Sequence, residues 1–236
     1  MHDEPPMSRI GALIASPARA RMLTELFDGR ALTATELAGI AGVSAATASE
    51  HLGILVAGGF ISREKSGRHH YFNLASREIA SALEQLVAQT AHVNIADRPG
   101  NRQRTPMQNA RMCYDHIAGQ LGVAIANALV KHGALVPLGS DYELSEKGEQ
   151  LLGELGIAVP KLSKSKRLFA RQCLDWSERR HHVAGAVGAA IADLSFEKGW
   201  IQRTKERRVL SVTPKGRIAL EKRLGVSFDE GKIGEI

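Results

Sequence analysis

One stretch, Thr35 to Leu74, limits what this chain can fold into more than any other: TELAGIAGVSAATASEHLGILVAGGFISREKSGRHHYFNL. Leu37, Ala38 and Ile40 share one face of a short helix that the Thr35 hydroxyl can cap. Ala38 stands three residues after Thr35, so no reciprocal capping box forms there. Gly42 breaks this helix, Val43 fills the turn, and Ser44 is placed to cap a second helix from about Ala45 to Ala57. Ala48, Leu52, Leu55 and Val56 form its apolar face, whereas Ala45, Thr47, Ser49, Glu50 and His51 are small or polar. Gly58-Gly59 ends it. Phe60-Ile61 and His70-Tyr71-Phe72 then read as strands around the basic turn Lys65-Ser66-Gly67-Arg68.

A helix whose exposed N-terminal half is small and hydroxylated enters a DNA major groove without steric conflict. Ser44, Ala45, Thr47, Ser49, Glu50 and His51 are therefore the candidate base readers. A hairpin tip carrying Arg63, Lys65 and Arg68 suits a phosphate backbone or a minor groove. The alternative is a module of the same shape that only binds protein. The stretch resembles the ArsR/SmtB family of bacterial winged-helix repressors over roughly residues 8–95. The matching residues are Glu36-Leu37-Ala38, Val43-Ser44, Thr47, Ser49, His51-Leu52, Leu55, Gly59-Phe60-Ile61, Gly67-Arg68 and Tyr71. The resemblance implies a homodimer built from the first helix and the helix after the wing. Such a dimer presents two recognition helices about 34 Å apart to a pseudo-palindromic operator. The family's metal sites do not carry over. Its thiol-bearing helix is here Glu36-Leu37-Ala38-Gly39-Ile40, and Ser76–His92 lacks its aspartate/histidine motif.

The net charge of +6 is unevenly placed: residues 1–98 carry nine basic and ten acidic side chains. DNA affinity in that half must rest on focused cations, namely the wing residues with Arg19 and Arg21. The basic surplus beyond residue 98 is a second backbone contact, a site for an acidic ligand, or a solvated face. No apolar run is long enough to span a membrane. The N-terminal MHDEPPMS does not read as a secretory signal. With only Cys113 and Cys173 there is no disulfide framework, and a reducing cytoplasm is expected.

Residues 7–28 read as an amphipathic helix in two parts, restarted by Ser16-Pro17 and closed by Gly29. Beyond the wing, Ser76 caps a helix with a narrow seam of Ile79, Leu83, Leu86, Val87 and Thr90. That seam serves a partner helix or packing within the chain. Composition marks a linker at residues 98–109, between a DNA-binding and dimerisation domain over 1–97 and an effector domain over 110–236.

The C-terminal part is duplicated, with copies over about 110–158 and 170–227. Arg111, Cys113, Asp115, His116, Gly119 and Gly122 recur as Arg171, Cys173, Asp175, His182, Gly185 and Gly188, with six residues inserted before His182. Each copy reads as helix, strand and capped helix, the caps being Ser145 and Thr213. Paired glycines at helical spacing suggest close helix–helix approach between copies across a pseudo-two-fold axis. The fold class expected is mainly α with small β-hairpins (α+β), a winged helix-turn-helix domain followed by two winged-helix-like repeats.

Three readings of the repeated core stay open. Cys113 and His116, three apart on one helical face, can meet Cys173 and His182 around a soft or borderline metal. The same residues, with Arg111, Arg171, Asp115, Asp175 and Trp176, can instead surround a small organic effector, with Tyr114 and Trp200 lining it. Or the cysteines are buried hydrophobes and the aspartates pair with the arginines as structural charges. His69-His70 with His92 could respond to pH or metal, though exposed histidines are commonly inert. The function expected is a DNA-binding regulator, acting as a repressor whose effector is sensed in the C-terminal half. The alternative is an enzyme or a thiol- or metal-binding protein in the duplication, with cysteine nucleophiles and His116 or His182 as base. No glycine-rich phosphate loop, serine elbow or zinc-hydrolase helix supports catalysis.

Overall fold

In the computed structural model, which describes residues 6–90, 104–164, 168–226 and 228, the chain divides into the units Met1–Ala82 and Leu83–Ile236. The division falls inside a helix and not in the linker expected at 98–109. Residues 98–103 lie outside the described residues, and Pro106–Asn109 is a short helix. The physical reason is the burial of Glu84, whose partners Cys113 and Arg208 belong to the C-terminal unit.

The N-terminal unit starts with α1 (Pro6–Ile14) and α2 (Pro17–Glu25), separated where Ser16 caps and Pro17 takes the first helical position. Arg19 and Arg21 are spent on structure. Arg19 donates to the Ala12 and Leu13 carbonyls at the end of α1, and Arg21 to Ala41 O at 3.1 Å. After β1 (Leu32–Thr33) comes α3 (Ala34–Ala41). Its cap is Thr33, a correction to the Thr35 reading. Glu36 stands three residues after Thr33 and completes a reciprocal box, with Thr33 N–H donating to Glu36 Oε2 at 2.8 Å. Gly42, at φ 70°, turns the chain into α4 (Ala45–Ala57), bent 104° from α3. Ser44 Oγ accepts from Thr47 N–H at 3.2 Å. β2 (Ile61–Ser66) and β3 (His69–Leu74) pair throughout and form a three-stranded sheet in the order β1-β3-β2. Met22, Leu26, Leu37, Leu52, Leu55, Ile61 and Leu74 fill the core beneath α4 and the sheet. α5 (Arg77–Thr90) follows, with Ser76 Oγ accepting from Ile79 N–H.

The C-terminal unit runs α6 (Pro106–Asn109), β4 (Arg111–Cys113), β5 (His116–Ala118), α7 (Gly119–Lys131), β6 (Leu135–Leu138), β7 (Asp141–Leu144) and α8 (Glu146–Leu155). After α9 (Val159–Ser163) the pattern returns as β8 (Arg171–Leu174), β9 (His181–Ala184), α10 (Gly185–Glu197), β10 (Ile201–Arg203), β11 (Leu210–Val212) and α11 (Pro214–Leu224). Each copy is thus hairpin, helix, hairpin, helix, and the helix–strand–helix unit is corrected. The Cys/His run reverses at Tyr114, held at φ 56°, so the helix begins only at Gly119. The caps fall as expected, with Ser145 and Thr213 accepting from Gly148 and Gly216 N–H.

The copies exchange edges. The first hairpin of each lies beside the second hairpin of the other: Gln172 N–H donates to Ser140 O and Tyr142 N–H to Ala170 O. The equivalent bonds, Met112 N–H to Arg208 O and Leu210 N–H to Ala110 O, repeat the contact across the pseudo-axis. The glycine reading is corrected with it. A Cβ on Gly122 would lie 2.3 Å from Ile117 O and 3.4 Å from His182 Cβ. On Gly188 it would lie 2.2 Å from Val183 O and 3.2 Å from His116 Cβ. These glycines let each helix settle on its own hairpin and against the other copy's histidine. Leu121, Ile125, Leu129, Val187, Ile191 and Trp200 belong to one continuous core.

Candidate metal centre and nucleic-acid interface

Hairpin register builds the centre. Cys113 lies opposite His116 in β4–β5, and Cys173 lies opposite His182 in β8–β9. Cysteine and histidine are cross-strand neighbours here, not residues of one helical face. The exchanged packing then brings the two pairs together. The sulfurs are 3.8 Å apart and the imidazole Nε2 atoms 3.1 Å apart. Ligand atoms of all four side chains lie within 4.8 Å of one another, and all four residues are buried. Zn–S bonds of about 2.3 Å and Zn–N bonds of about 2.0–2.1 Å put tetrahedral sulfurs ~3.8 Å and nitrogens ~3.3 Å apart.

Around these four sits a charged cradle. Asp175, fully buried, is its hub. Its Oδ2 accepts from Arg111 Nη2 at 2.8 Å and Gly119 N–H at 2.7 Å, and lies 3.5 Å from His182 Nδ1. Its Oδ1 accepts from the N–H groups of Ser177 and Glu178 and from the Ser177 hydroxyl. Burial works to raise the Asp175 carboxyl, but Arg111, His182, Ser177 and the Gly119 N–H hold it well below the usual range. Arg111 is buried too, with its guanidinium over the Trp176 ring at 4.6 Å. Asp115 lies 3.2 Å from His116 Nδ1. Arg171, half-buried, pairs with Ala184 across β8–β9.

Two members of the cradle give no signal in the sequence. Glu84, buried on α5, accepts from the Cys113 thiol and from Arg208 Nη2 at 2.9 Å. Arg208 is buried, held at φ 66°, and also donates to Met112 O. Burial pushes the Cys113 thiol well above its ordinary value, and Cys173 and Glu84 add to this. Beside the histidines, Ile117, Gly122, Ile125, Val183, Gly188 and Ile191 enclose a void of about 10 Å³. Organic ligands need roughly 300–1,000 Å³. Trp200 is packed in the core, and Tyr114 and Trp176 are half-buried.

The candidate DNA readers lie in the other unit. Ser44, Ala45, Ser49 and Glu50 are exposed at the start of α4. Thr47 is half-buried, with its hydroxyl 2.9 Å from Ser44 Oγ. His51 is also half-buried, its Nδ1 3.3 Å from Arg19 Nη1. Arg63, Lys65 and Arg68 are exposed on the β2–β3 hairpin, whose turn places Gly67 at φ 58°. His69 and His70 are exposed there, and His92 lies outside the described residues. Met7 and Ile10 of α1 are exposed, as are Leu86 and Val87 of α5; the Thr90 side chain is not described. No single helix among the described residues is long and apolar enough to cross a membrane.

A tight helix-turn-helix, an exposed second helix and a basic hairpin define the winged helix-turn-helix class of DNA-binding proteins. A helix-turn-helix domain family model matches residues 14–64. YdfF of Bacillus subtilis (strain 168), an uncharacterized HTH-type transcriptional regulator, is 39% identical over 224 residues, covering 95% of this chain and 99% of that protein. The HTH-type transcriptional regulator CmtR of Mycobacterium bovis is 33% identical over 84 residues, 36% of this chain and 70% of CmtR. Among solved structures, the homodimeric winged helix-turn-helix DNA-binding domain Mb0332 of Mycobacterium bovis is 25% identical with a TM-score of 0.34. It covers 42% of this chain and 99% of that one. The chain belongs to the HTH-type transcriptional regulators of the ArsR/SmtB kind.

Proposed function

We propose that the protein is a repressor that binds a pseudo-palindromic DNA operator as a homodimer and is modulated by an effector taken up in its C-terminal unit. The observation that carries this reading is the face of α4. Ser44, Ala45, Ser49 and Glu50 stand exposed on a helix that Ala48, Leu52 and Leu55 fix to the core. Exposed Arg63, Lys65 and Arg68 supply phosphate contacts from the wing. Exposed apolar residues on α1 and on α5 support two-fold pairing. The thiols support binding over catalysis, because Cys113 and Cys173 are buried and cluster with His116 and His182.

The test is selection of bound duplexes from a random library, followed by affinity and mass measurements on the winners. An inverted repeat, two chains per duplex and a steep fall of affinity with salt are expected. Equal affinity for selected and random duplex would end this reading.

A further inference from the structure

We infer that the effector site is a four-ligand metal centre, Cys113, His116, Cys173 and His182, built for a borderline-to-soft divalent cation of the zinc and cadmium type. This deepens the regulatory reading above and rests on it for its purpose, but not for its chemistry. Sulfurs 3.8 Å apart and Nε2 atoms 3.1 Å apart already stand near the edges of a tetrahedral S₂N₂ site. Each copy contributes one thiol and one imidazole from one cross-strand pair, so neither copy can form the site alone. Hard cations such as magnesium require oxygen ligands and are not served by this set.

The outer shell fits as well. Ligating imidazoles that bind through Nε2 keep their proton on Nδ1, which needs an acceptor. Asp115 faces Nδ1 of His116 and Asp175 faces Nδ1 of His182. His182 Nδ1 is buried without a hydrogen bond, and the Asp175 carboxylate stands 3.5 Å from it. The bound state balances simply. Two S–H bonds break and two metal–sulfur bonds form, and the thiol protons leave to solvent together with any imidazolium proton. The imidazoles bind as neutral donors, and no electrons transfer. A divalent ion with two thiolates is neutral overall, so burial does not oppose it.

Glu84 couples this centre to α5. Its carboxylate accepts a hydrogen bond from the Cys113 thiol while its other oxygen holds Arg208. Metal binding removes that proton and sets a thiolate against the carboxylate. The Glu84 side chain then keeps Arg208 and loses Cys113, a change registered on the helix that follows the wing.

The test uses the reduced, chelator-treated full-length chain and cobalt(II) as the probe, with zinc and cadmium in competition. Expected are one ion per chain, proton release on binding, and the intense visible bands of tetrahedral cobalt with thiolate charge transfer. Cys173→Ser should weaken binding by more than about a hundredfold, beyond the ~10–100-fold expected for the outer-shell change Asp115→Asn. The helical signal and melting curve of each variant show that it has folded. Glu84→Gln should tighten binding by relieving the repulsion, which a purely structural Glu84 would not do. A pale six-coordinate spectrum, no proton release, or affinity indifferent to Cys173→Ser overturns the inference. So does a Cys113–Cys173 disulfide on mild oxidation with no metal uptake by the reduced chain. Affinity for the selected duplex, measured with and without zinc, separates the two claims. Absent DNA binding with an intact cobalt spectrum sinks the operator reading alone, and the reverse sinks the metal centre alone.

Discussion

At the scale of single residues, buried charge decides how the C-terminal unit holds its shape. Asp175 and Arg111 come from different copies, and each is almost wholly buried. Removing one partner of such a pair leaves the other charge uncompensated, so Arg111→Met should cost about 3–5 kcal/mol. Urea unfolding followed by circular dichroism would read this, and a loss below 1 kcal/mol would show that Asp175 keeps its charge by its other bonds. In the reading unit the informative residue is Ser49. It is exposed and, unlike Thr47, makes no contact with the Ser44 cap. Ser49→Ala should change base preference in a duplex selection while the melting temperature stays within about 2 °C. Unchanged preference would remove Ser49 from the recognition face.

Elements show where the sequence could be read and where it could not. Helix α4 spans the residues expected, Ala45–Ala57, because its cap and its Gly58-Gly59 stop are local signals. The wing strands run longer than the few residues expected, since Arg63, Glu64 and Lys65 pair by backbone alone and leave no apolar alternation. The repeated Cys/His run reads as helix in the sequence, although it forms hairpins, for a related reason. Strands of three residues are too short to show a two-residue period, and a spacing of three fits a helix equally well. The glycines separate on the same ground. Gly122 meets the Ile117 carbonyl, so Gly122→Ala should destabilise by about 1–3 kcal/mol through overpacking. Gly153 in α8 has open space around its Cβ position, so Gly153→Ala should stabilise by roughly 0.5–1 kcal/mol. Thermal melts of the two variants should move in opposite directions.

For the whole molecule, the balance of charge governs how DNA is held. The N-terminal part has no basic surplus, and Arg19 and Arg21 are occupied by helix-end carbonyls. On the proposed reading, affinity therefore leans on the wing. Arg68→Ala should weaken binding to every duplex alike and reduce the slope of log K against log salt by about one per site. Loss confined to the selected operator would mean that Arg68 reads bases. The winged helix-turn-helix, the duplication and the repeated Cys and His residues are legible in the sequence, because caps, turns and repeats are written in neighbouring letters. That those four meet is set by the tertiary fold alone. Cys113 and Cys173 are sixty residues apart, and their meeting depends on two hairpins exchanging places across a pseudo-axis. The Glu84–Arg208 contact is longer-range still, at a sequence separation of 124. No local pattern encodes such a contact; it follows from which surfaces the folded C-terminal unit buries.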